Sequence, residues 1–366
     1  MVSLKEVMAW VLAALSASII LALVYIEDFR FFAIPPGYAL KLYVYAALGM
    51  IAAAAVIIGL SRYEGDTRLV GNSAFKFLAC SFGFLWIIDG VMQLQPEMSF
   101  GFVSFVASPA IQASPVFVIR LLSPAEALWS HFPILLDALS GVLQLLIGIG
   151  IIIFWSRSSL KIFLLLSFAW AIFLWIFGEA FGGIFTADSS YLTGFPGSAI
   201  VYAAVSILLL MYMDTGKMRL QIALFMAAIM AISSLIQALP SHGFWNAENL
   251  FAIPSSVMIN QQPFILSLWL HSLSLSFYYY YIEWNVFLVG SMAASSVLWV
   301  LRPRIGAIYT AVFSLFVWFA GQDFGVLGGY GTDPNTALPI VILAIAYLIG
   351  DRNVFALALK QQHQTG

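Results

Sequence analysis

Long apolar stretches separated by short polar segments run along almost the whole chain. Ten such stretches occur, and most have the length of about 17–23 residues that an α-helix needs to cross a bilayer. They lie near residues 7–26, 42–61, 77–95, 134–155, 162–180, 196–213, 220–239, 282–301, 305–322 and 337–350. A transmembrane β-barrel would instead alternate apolar and polar residues. The pattern therefore predicts an all-α integral membrane protein with about ten transmembrane helices.

The composition agrees with a location in the lipid bilayer. Hydrophobic residues make up 62% of the 366 residues and charged residues only 9%, whereas soluble domains carry about 25% charged residues. The single cysteine, Cys80, excludes an intrachain disulfide and a cysteine-based metal cluster. The sequence contains no nucleotide-binding motif, nucleophile elbow, H-E-x-x-H motif or basic patch, so we expect no nucleic-acid partner.

Basic residues predict the orientation in the membrane. If the N-terminus is cytoplasmic, the inner segments carry twelve Lys and Arg residues and the outer segments three, as the positive-inside rule requires. We therefore expect both termini in the cytoplasm, and we expect stretch 7–26 to be a retained span rather than a signal peptide. The outer segments are acidic, with Glu97, Glu126, Asp188, Glu248 and Asp333.

Short motifs recur in constant order, which predicts an internal duplication. Four pairs match at offsets of 138 to 144 residues: "MQLQP" with "IQALP", "LWSH" with "LWLH", "WIFGEAFG" with "WFAGQDFG", and "FPGSAI" with "DPNTAL". Each unit has four spans, an even number, so the two units are predicted to be parallel repeats. The predicted organisation is an N-terminal two-helix segment (1–70), a first repeat (71–215), a second repeat (216–350) and a short cytoplasmic tail (351–366).

Three motifs carry a resemblance to a known family. They are W-x-x-G-E-x-F-G-G at 175–183, G-T-D-P-N at 331–335 and D-G-x-x-Q-x-Q-P at 89–96. From about residue 70 onward the chain resembles a family of bacterial and archaeal multi-pass membrane proteins that has no established activity. Ala180 stands where the family pattern suggests a third glycine. The resemblance implies the architecture and the plasma membrane of a prokaryote, and it implies no chemistry.

Polar residues at the outer ends of the apolar stretches are candidates for a binding site. Asp89 is the deepest ionisable residue, only 13 residues from Lys76. A carboxylate within the bilayer costs a few kcal/mol, so Asp89 is either a hydrogen-bonded structural residue or a proton or cation site. The candidate ligand- or cation-binding residues are Asp89, Asp137, Glu179, Gln322 and Asp323.

The two repeats differ at three of these polar positions. The matched pairs, acid first, are Asp89 with Ser233, Asp137 with Asn285 and Glu179 with Gln322. This difference predicts one asymmetric site whose negative charge comes from the first repeat. The alternative is that the difference has no functional meaning.

Two histidines, His131 and His271, occupy equivalent places before the fourth and eighth stretches. A pair at a pseudo-twofold axis could bind one haem or one copper ion between the repeats. The alternative is that both histidines only form hydrogen bonds at the lipid headgroups. Ser123-Pro124-x-Glu126 predicts an interfacial helix that begins at Ser123, and Pro133 predicts a break before the fourth span.

Together these residues suggest a single site that opens outward. The hypothesis is that segments 97–122 and 242–266 cover it and that it is surrounded by Asp89, His131, Asp137 and Glu179. The aromatic segment "FYYYYIEW" at 277–284 is either an interfacial belt or part of the cavity lining.

Two functional classes fit this pattern. The first is a non-catalytic membrane subunit or binding protein that presents an acidic, aromatic outer site. Such a subunit would belong to a redox or metal- and haem-handling complex of the respiratory type, with other membrane or extracytoplasmic subunits as partners. The second is a secondary transporter of a small solute or cation built from parallel repeats. Transporters usually carry polar groups near the bilayer midplane, and here they crowd the outer third, which favours the first class.

The ligand hypothesis for the histidines has a direct test. If His131 and His271 hold haem or copper, the purified protein will show a haem absorbance band or a stoichiometric metal content by elemental analysis. Substituting either histidine with alanine will remove that signal. A colourless preparation that contains no copper, iron or zinc would contradict the hypothesis.

Overall fold

A computed structural model describes residues 36–63, 72–186, 189–259, 264–322, 324 and 331–364, and every element in them is a helix. The predicted first span, 7–26, lies outside these residues. The longer helices are α1 (Pro36–Tyr63), α2 (Ser73–Gln93), α3 (Val116–His131), α4 (Pro133–Phe154), α5 (Leu160–Phe177), α6 (Ser198–Thr215), α7 (Arg219–Ala238), α8 (Ala247–Ile259), α9 (Phe264–Tyr279), α10 (Tyr281–Leu301), α11 (Pro303–Ala320) and α12 (Ala337–Gln364).

The helices confirm an all-α, multi-pass architecture. Within the described residues, eight helices are long and apolar enough to cross a membrane: α1, α2, α4, α5, α6, α7, α10 and α11. The apolar part of α12, Ala337–Gly350, is shorter. This helix continues to Gln364 through the segment that was predicted to be a tail. Large apolar side chains such as Ile51, Leu224 and Val312 point out of the bundle, as lipid-facing residues do.

Helices α2 and α4 pack closely because glycines face each other at two levels. A Cβ atom on Gly148 would clash with the carbonyl oxygen of Gly83, and one on Gly90 would lie 2.8 Å from the carbonyl oxygen of Gly141. Small residues at helix contacts allow backbones to approach in membranes, where apolar burial alone gives little driving force. The glycines therefore set the distance between these two helices.

Most of the other long helices pack chiefly against one partner helix. Helix α7 packs mainly on α10, α5 on α6, and α11 on α12. Helix α1 packs on α4, where Gly49 contacts Val142. Helix α12 also contacts α2, so the helices before and after residue 216 share one core.

The connection between α2 and α4 differs in one respect from the expectation. The predicted helix start at Ser123 is wrong, because α3 already begins at Val116 and contains Pro124 in its interior. The Ser123 hydroxyl donates to the carbonyl oxygen of Ile119 one turn back instead of capping a helix. The break before Pro133 is confirmed, since α3 ends at His131 and α4 begins at Pro133.

The glycine contact between α2 and α4 predicts a large, position-specific effect on stability. Gly148→Ala will destabilise the protein by about 1–3 kcal/mol, because the added methyl group meets a backbone carbonyl that cannot move aside easily. Gly290→Ala is the matched control, since a Cβ atom there has open space around it. Thermal unfolding in detergent measures both, and equal melting temperatures for the two variants would contradict the interpretation.

Candidate functional site

A cavity of about 480 Å³ lies at the end of the bundle where α2 and α5 end and α6 begins. Its walls come from α2, α3, α4, α5 and α6, from the segment between α2 and α3, and from the loops before α6 and α12. Three carboxylic acids line it: Asp89, Glu179 and Asp333. Among the residues that the structure describes, the lining contains no Lys, Arg or His, so none of their side chains offers these acids a positive counter-charge.

Glu179 is held against the start of α6. It follows α5 directly, and its Oε1 atom accepts hydrogen bonds from the Ser198 hydroxyl at 2.7 Å and the Ala199 amide at 3.1 Å. The first amides of a helix lack partners within the helix and favour a negative group. The carboxyl group therefore joins the end of α5 to the beginning of α6.

Glycines around Glu179 allow this close approach. Gly182 has φ of +62°, and a Cβ atom there would clash with the carbonyl oxygen of Pro196. Gly197 has φ of +99°, and a Cβ atom there would clash with the Glu179 carboxyl group. Positive φ and close backbone contact both favour glycine, which explains these two positions of the sequence motifs.

Asp89 projects into the cavity from α2 and is only 3% exposed. The Tyr202 hydroxyl of α6 donates a long hydrogen bond of 3.4 Å to its Oδ1 atom. The Tyr202 ring packs edge-to-face on Trp86. Asp89 is therefore positioned by aromatic packing, and it has a single weak hydrogen bond.

Asp333 comes from the loop before α12, in the second half of the chain. Its Oδ1 atom accepts the Asn335 amide at 2.6 Å and its Oδ2 atom accepts the Thr332 hydroxyl at 3.2 Å. The sequence indicates Asp333 only as one of the outer acids and not as a site residue. The G-T-D-P-N motif was the only signal for it, and its contact with the first half could not be read from the sequence.

Glu179 and Asp333 lie outside the helices that are long enough to span a membrane, and they influence each other. Burial raises the pKa of Asp333. Burial, and then the negative charge of Asp333, raise the pKa of Glu179. Two buried carboxyl groups close together resist simultaneous ionisation, so this pair favours either a bound proton or a bound cation.

Further buried polar atoms, which belong to residues that line the cavity, have no hydrogen-bond partner. The side chains of Ser140 and Gln144, on neighbouring turns of α4, are 2% and 3% exposed, and the Ser140 hydroxyl and the Gln144 Oε1 atom are both unpartnered. The Glu179 Oε2 atom and the Trp129 indole nitrogen are unpartnered as well. Buried polar groups are rarely left in this condition, so these atoms mark places where a ligand can bind.

The cavity also has aromatic and apolar walls. Trp86 and Tyr202 form one wall, and Phe102 and Trp129, whose ring centroids are 4.8 Å apart, form another. The segment that was predicted to cover the site from 97 to 122 contributes the lining residues Phe102, Val106, Pro109, Ala110 and Ala113. The other predicted cover, 242–266, contributes no described residue to the lining.

Asp137 and Gln322 do not line the cavity. Asp137 is fully buried and accepts hydrogen bonds from Gln93, which does line it, and from Ser99. Gln322 donates to the carbonyl oxygen of Tyr191 at 2.8 Å and accepts the Ala337 amide at 2.8 Å. Gln322 thus joins α11 to the start of α12. The remaining candidate acid, Asp323, lies outside the described residues.

The histidines lie away from the cavity. His131 and His271 are exposed, and neither lines the cavity. The His131 ring packs edge-on against Phe132. Within the described part of the chain, no three His, Cys, Asp or Glu residues are grouped to hold a metal ion. The haem or copper hypothesis stays a prediction, and the cavity is the better-defined site.

Comparisons of this chain with known protein families, with characterised proteins and with solved structures gave no match. The resemblance drawn from the three sequence motifs therefore stays a prediction. The function proposed below is therefore inferred from the geometry of the cavity.

The raised pKa values predict how stability depends on pH. A carboxyl group whose pKa is higher in the folded state makes the protein less stable as the pH rises from the unfolded pKa to the folded pKa. Glu179→Gln removes this loss and keeps an oxygen for Ser198 and Ala199. We expect its melting temperature to exceed that of the wild type by an amount that grows from about pH 5 to about pH 8.

The control for this measurement is Glu248→Gln, which makes the same chemical change at an exposed acid of α8. Its difference from the wild type will not grow with pH. A pH-independent difference for Glu179→Gln would show that Glu179 is an ordinary ionised carboxylate.

Proposed function

We propose that this protein is a non-catalytic binding protein of a prokaryotic plasma membrane that takes up a small cationic ligand in its outward-facing cavity. The observation that carries the proposal is the set Asp89, Glu179 and Asp333, which line one cavity. Its wall includes no basic residue from the described part of the chain. Unpaired buried carboxylates are costly, and the usual compensation is a proton or a counter-ion.

The size and walls of the cavity support a small organic ligand. Small-molecule sites are commonly clefts of about 300–1,000 Å³ with mostly apolar walls and a few polar groups, and this cavity of about 480 Å³ falls within that range. Aromatic faces such as those of Trp86 and Trp129 attract cations as well as hydrocarbon. The lining thus offers both negative charge and aromatic surface to one ligand.

The proposed topology has ten spans, with both termini in the cytoplasm and the cavity on the outer side. The distribution of Lys and Arg supports this orientation. Lys76 lies near the start of α2, and Arg157 follows the end of α4. The cavity instead contacts Asp89, near the end of α2, and Ser140, in the first half of α4. The eight long apolar helices and the shorter Ala337–Gly350 account for nine of the ten spans.

Repeated hydrogen bonds support the proposed duplication. The Trp175 indole donates to the carbonyl oxygen of Pro196 at 2.9 Å, and the Trp318 indole donates to that of Pro334 at 2.8 Å. Glu179 accepts the Ala199 amide as Gln322 accepts the Ala337 amide. Gln93 donates to Asp137 as Gln237 donates to Asn285. These contacts join corresponding helices in each proposed repeat.

The two proposed repeats differ in what fills them, which supports a single asymmetric site. Tyr191, from the loop before α6, is fully buried beside α11, where its hydroxyl hydrogen-bonds Ser314 at 2.7 Å and its ring stacks on Phe313. Gln322 holds the Tyr191 carbonyl oxygen. The Tyr191 side chain therefore occupies space beside α11 in the second proposed repeat, whereas the first proposed repeat contains a cavity that can hold a ligand.

The membrane partner proposed for this protein is a redox or metal-handling complex of the respiratory type. An acidic outer side favours association with a cationic extracytoplasmic subunit through complementary charge. Co-purification from native membranes tests this part of the proposal separately from ligand binding.

A secondary transporter is the second candidate, and one observation favours it. Below the cavity, the Trp86 indole donates to Ser167 at 2.8 Å and Ser206 donates to Ser167 at 2.8 Å. All three residues are buried within spanning helices, where polar groups often mark a pathway. Uptake of a labelled cation into proteoliposomes would favour the transporter over the binding subunit.

Cation binding is tested with purified protein and a panel of chloride salts. We expect the chloride of at least one organic cation, among phenethylammonium and choline, to raise the melting temperature in a concentration-dependent way. Asp89→Asn and Glu179→Gln will each weaken binding by about tenfold or more, because each removes a charge that faces the ligand. Glu248→Gln, the exposed control, will not. If neither organic cation binds, the proposed function is wrong.

A further inference from the structure

Residues that line the cavity carry several unpartnered hydrogen-bond acceptors, beside one unpartnered donor, the Trp129 indole nitrogen. The Gln144 Oε1 atom and the Glu179 Oε2 atom have no partner, and the neighbouring Ser140 hydroxyl has none either. Asp89 has only the 3.4 Å hydrogen bond from Tyr202. A carboxylate or an amide oxygen can only accept, so a ligand that satisfies this site must donate several hydrogen bonds.

Gln144 and Ser140 are four residues apart on α4, so their side chains lie on the same face of the helix. Both are more than nine-tenths buried and both line the cavity. The Gln144 side chain carries no net charge, so it contributes little to a general attraction for cations. Its burial without a partner indicates a donor group on the ligand, because a buried acceptor that lacks a hydrogen bond is unfavourable.

The arrangement does not favour a bare metal ion. The acids Asp89, Glu179 and Asp333 line a cavity of about 480 Å³, and among the described residues they are not grouped closely enough to hold one ion. A metal ion needs several oxygen ligands within about 2.6 Å. The three acids surround a space that fits a molecule.

The apolar lining indicates where the rest of the ligand lies. Phe102 and Trp129 pack against each other on the side formed by the 97–122 segment, with Val106 and Leu174 also in the lining. This side suits a hydrocarbon or aromatic body, while the carboxyl groups suit a positively charged end.

We infer that the ligand is a protonated primary amine with an apolar body, whose N–H groups donate to the acceptors on α4 and to the carboxyl groups around them. The inference rests on the proposed function and narrows it to one chemical class. A quaternary ammonium ion has the same charge and no N–H group, so it leaves Gln144 and Glu179 unsatisfied. The site therefore selects for the donor hydrogens as well as for the charge.

The experiment compares ligands that differ only at the nitrogen. Phenethylammonium, its N,N,N-trimethyl derivative and 2-phenylethanol are titrated into the purified full-length wild-type protein by isothermal calorimetry, with calcium chloride as the metal probe. We expect phenethylammonium to bind at least about tenfold more tightly than the trimethyl derivative and than the neutral alcohol, because hydrogen bonds to charged groups are the stronger ones.

Gln144→Met tests the role of the amide oxygen. We expect it to weaken phenethylammonium binding by about five- to tenfold and to leave the trimethyl derivative unchanged, since only the amine donates to this atom. Gln221→Met is the matched control, because the Gln221 Oε1 atom is also buried and unpartnered but lies near the start of α7, outside the cavity lining. It will change neither affinity.

The possible results distinguish a failure of the amine inference from a failure of the proposed function on which it rests. Equal or tighter binding of the trimethyl derivative overturns the amine inference and leaves the proposed function intact. Binding of calcium alone, with neither organic cation bound, overturns both. If no cation binds, the proposed function fails as well. The ligand series on the wild-type protein decides these cases even if Gln144→Met does not fold.

Discussion

The close contact between α2 and α4 sets the geometry of the site. Gly90 and Gly141 meet at this contact, and each directly follows a cavity residue, Asp89 on one helix and Ser140 on the other. Because the backbones approach through glycine, the polar side chains beside them converge on one space instead of facing lipid. The same helix face carries Gln144 one turn further, so a shift of either helix would separate the groups that we assign to ligand binding.

Negative charge without basic partners is the second constraint on this protein. Glu179 is held by the start of α6, and Asp333 reaches the same cavity from the loop before α12. Hydrogen bonds hold one oxygen of Glu179 and both oxygens of Asp333. No Lys, Arg or His of the described segments lines the cavity. The buried pair Glu179 and Asp333 is stabilised when a positive group binds to it. Either a proton or a protonated amine can bind to the same carboxyl oxygens.

The two halves of the chain contain similar hydrogen bonds, but only the first half has a cavity beside them. Glu179 and Gln322 each accept a hydrogen bond from a backbone amide at the start of the following helix. The two residues therefore have the same structural role and differ in charge. Gln322 faces the carbonyl oxygen of Tyr191, and Tyr191 fills its surroundings. Glu179 keeps a free oxygen beside an open cavity. Only the first arrangement is equipped to receive a ligand.

The sequence by itself determined the helical, membrane-like class and the approximate place of the eight long apolar helices, because apolar length and helical rise are local properties. It also marked Asp89 and Glu179, since acids near apolar stretches stand out. It did not bring Asp333, Ser140 or Gln144 to them, and it placed His131 at a site that the tertiary structure locates elsewhere. Which polar groups share a cavity depends on how helices pack and which loops cross between them, and contacts such as that of Glu179 with Asp333 join residues more than 150 positions apart.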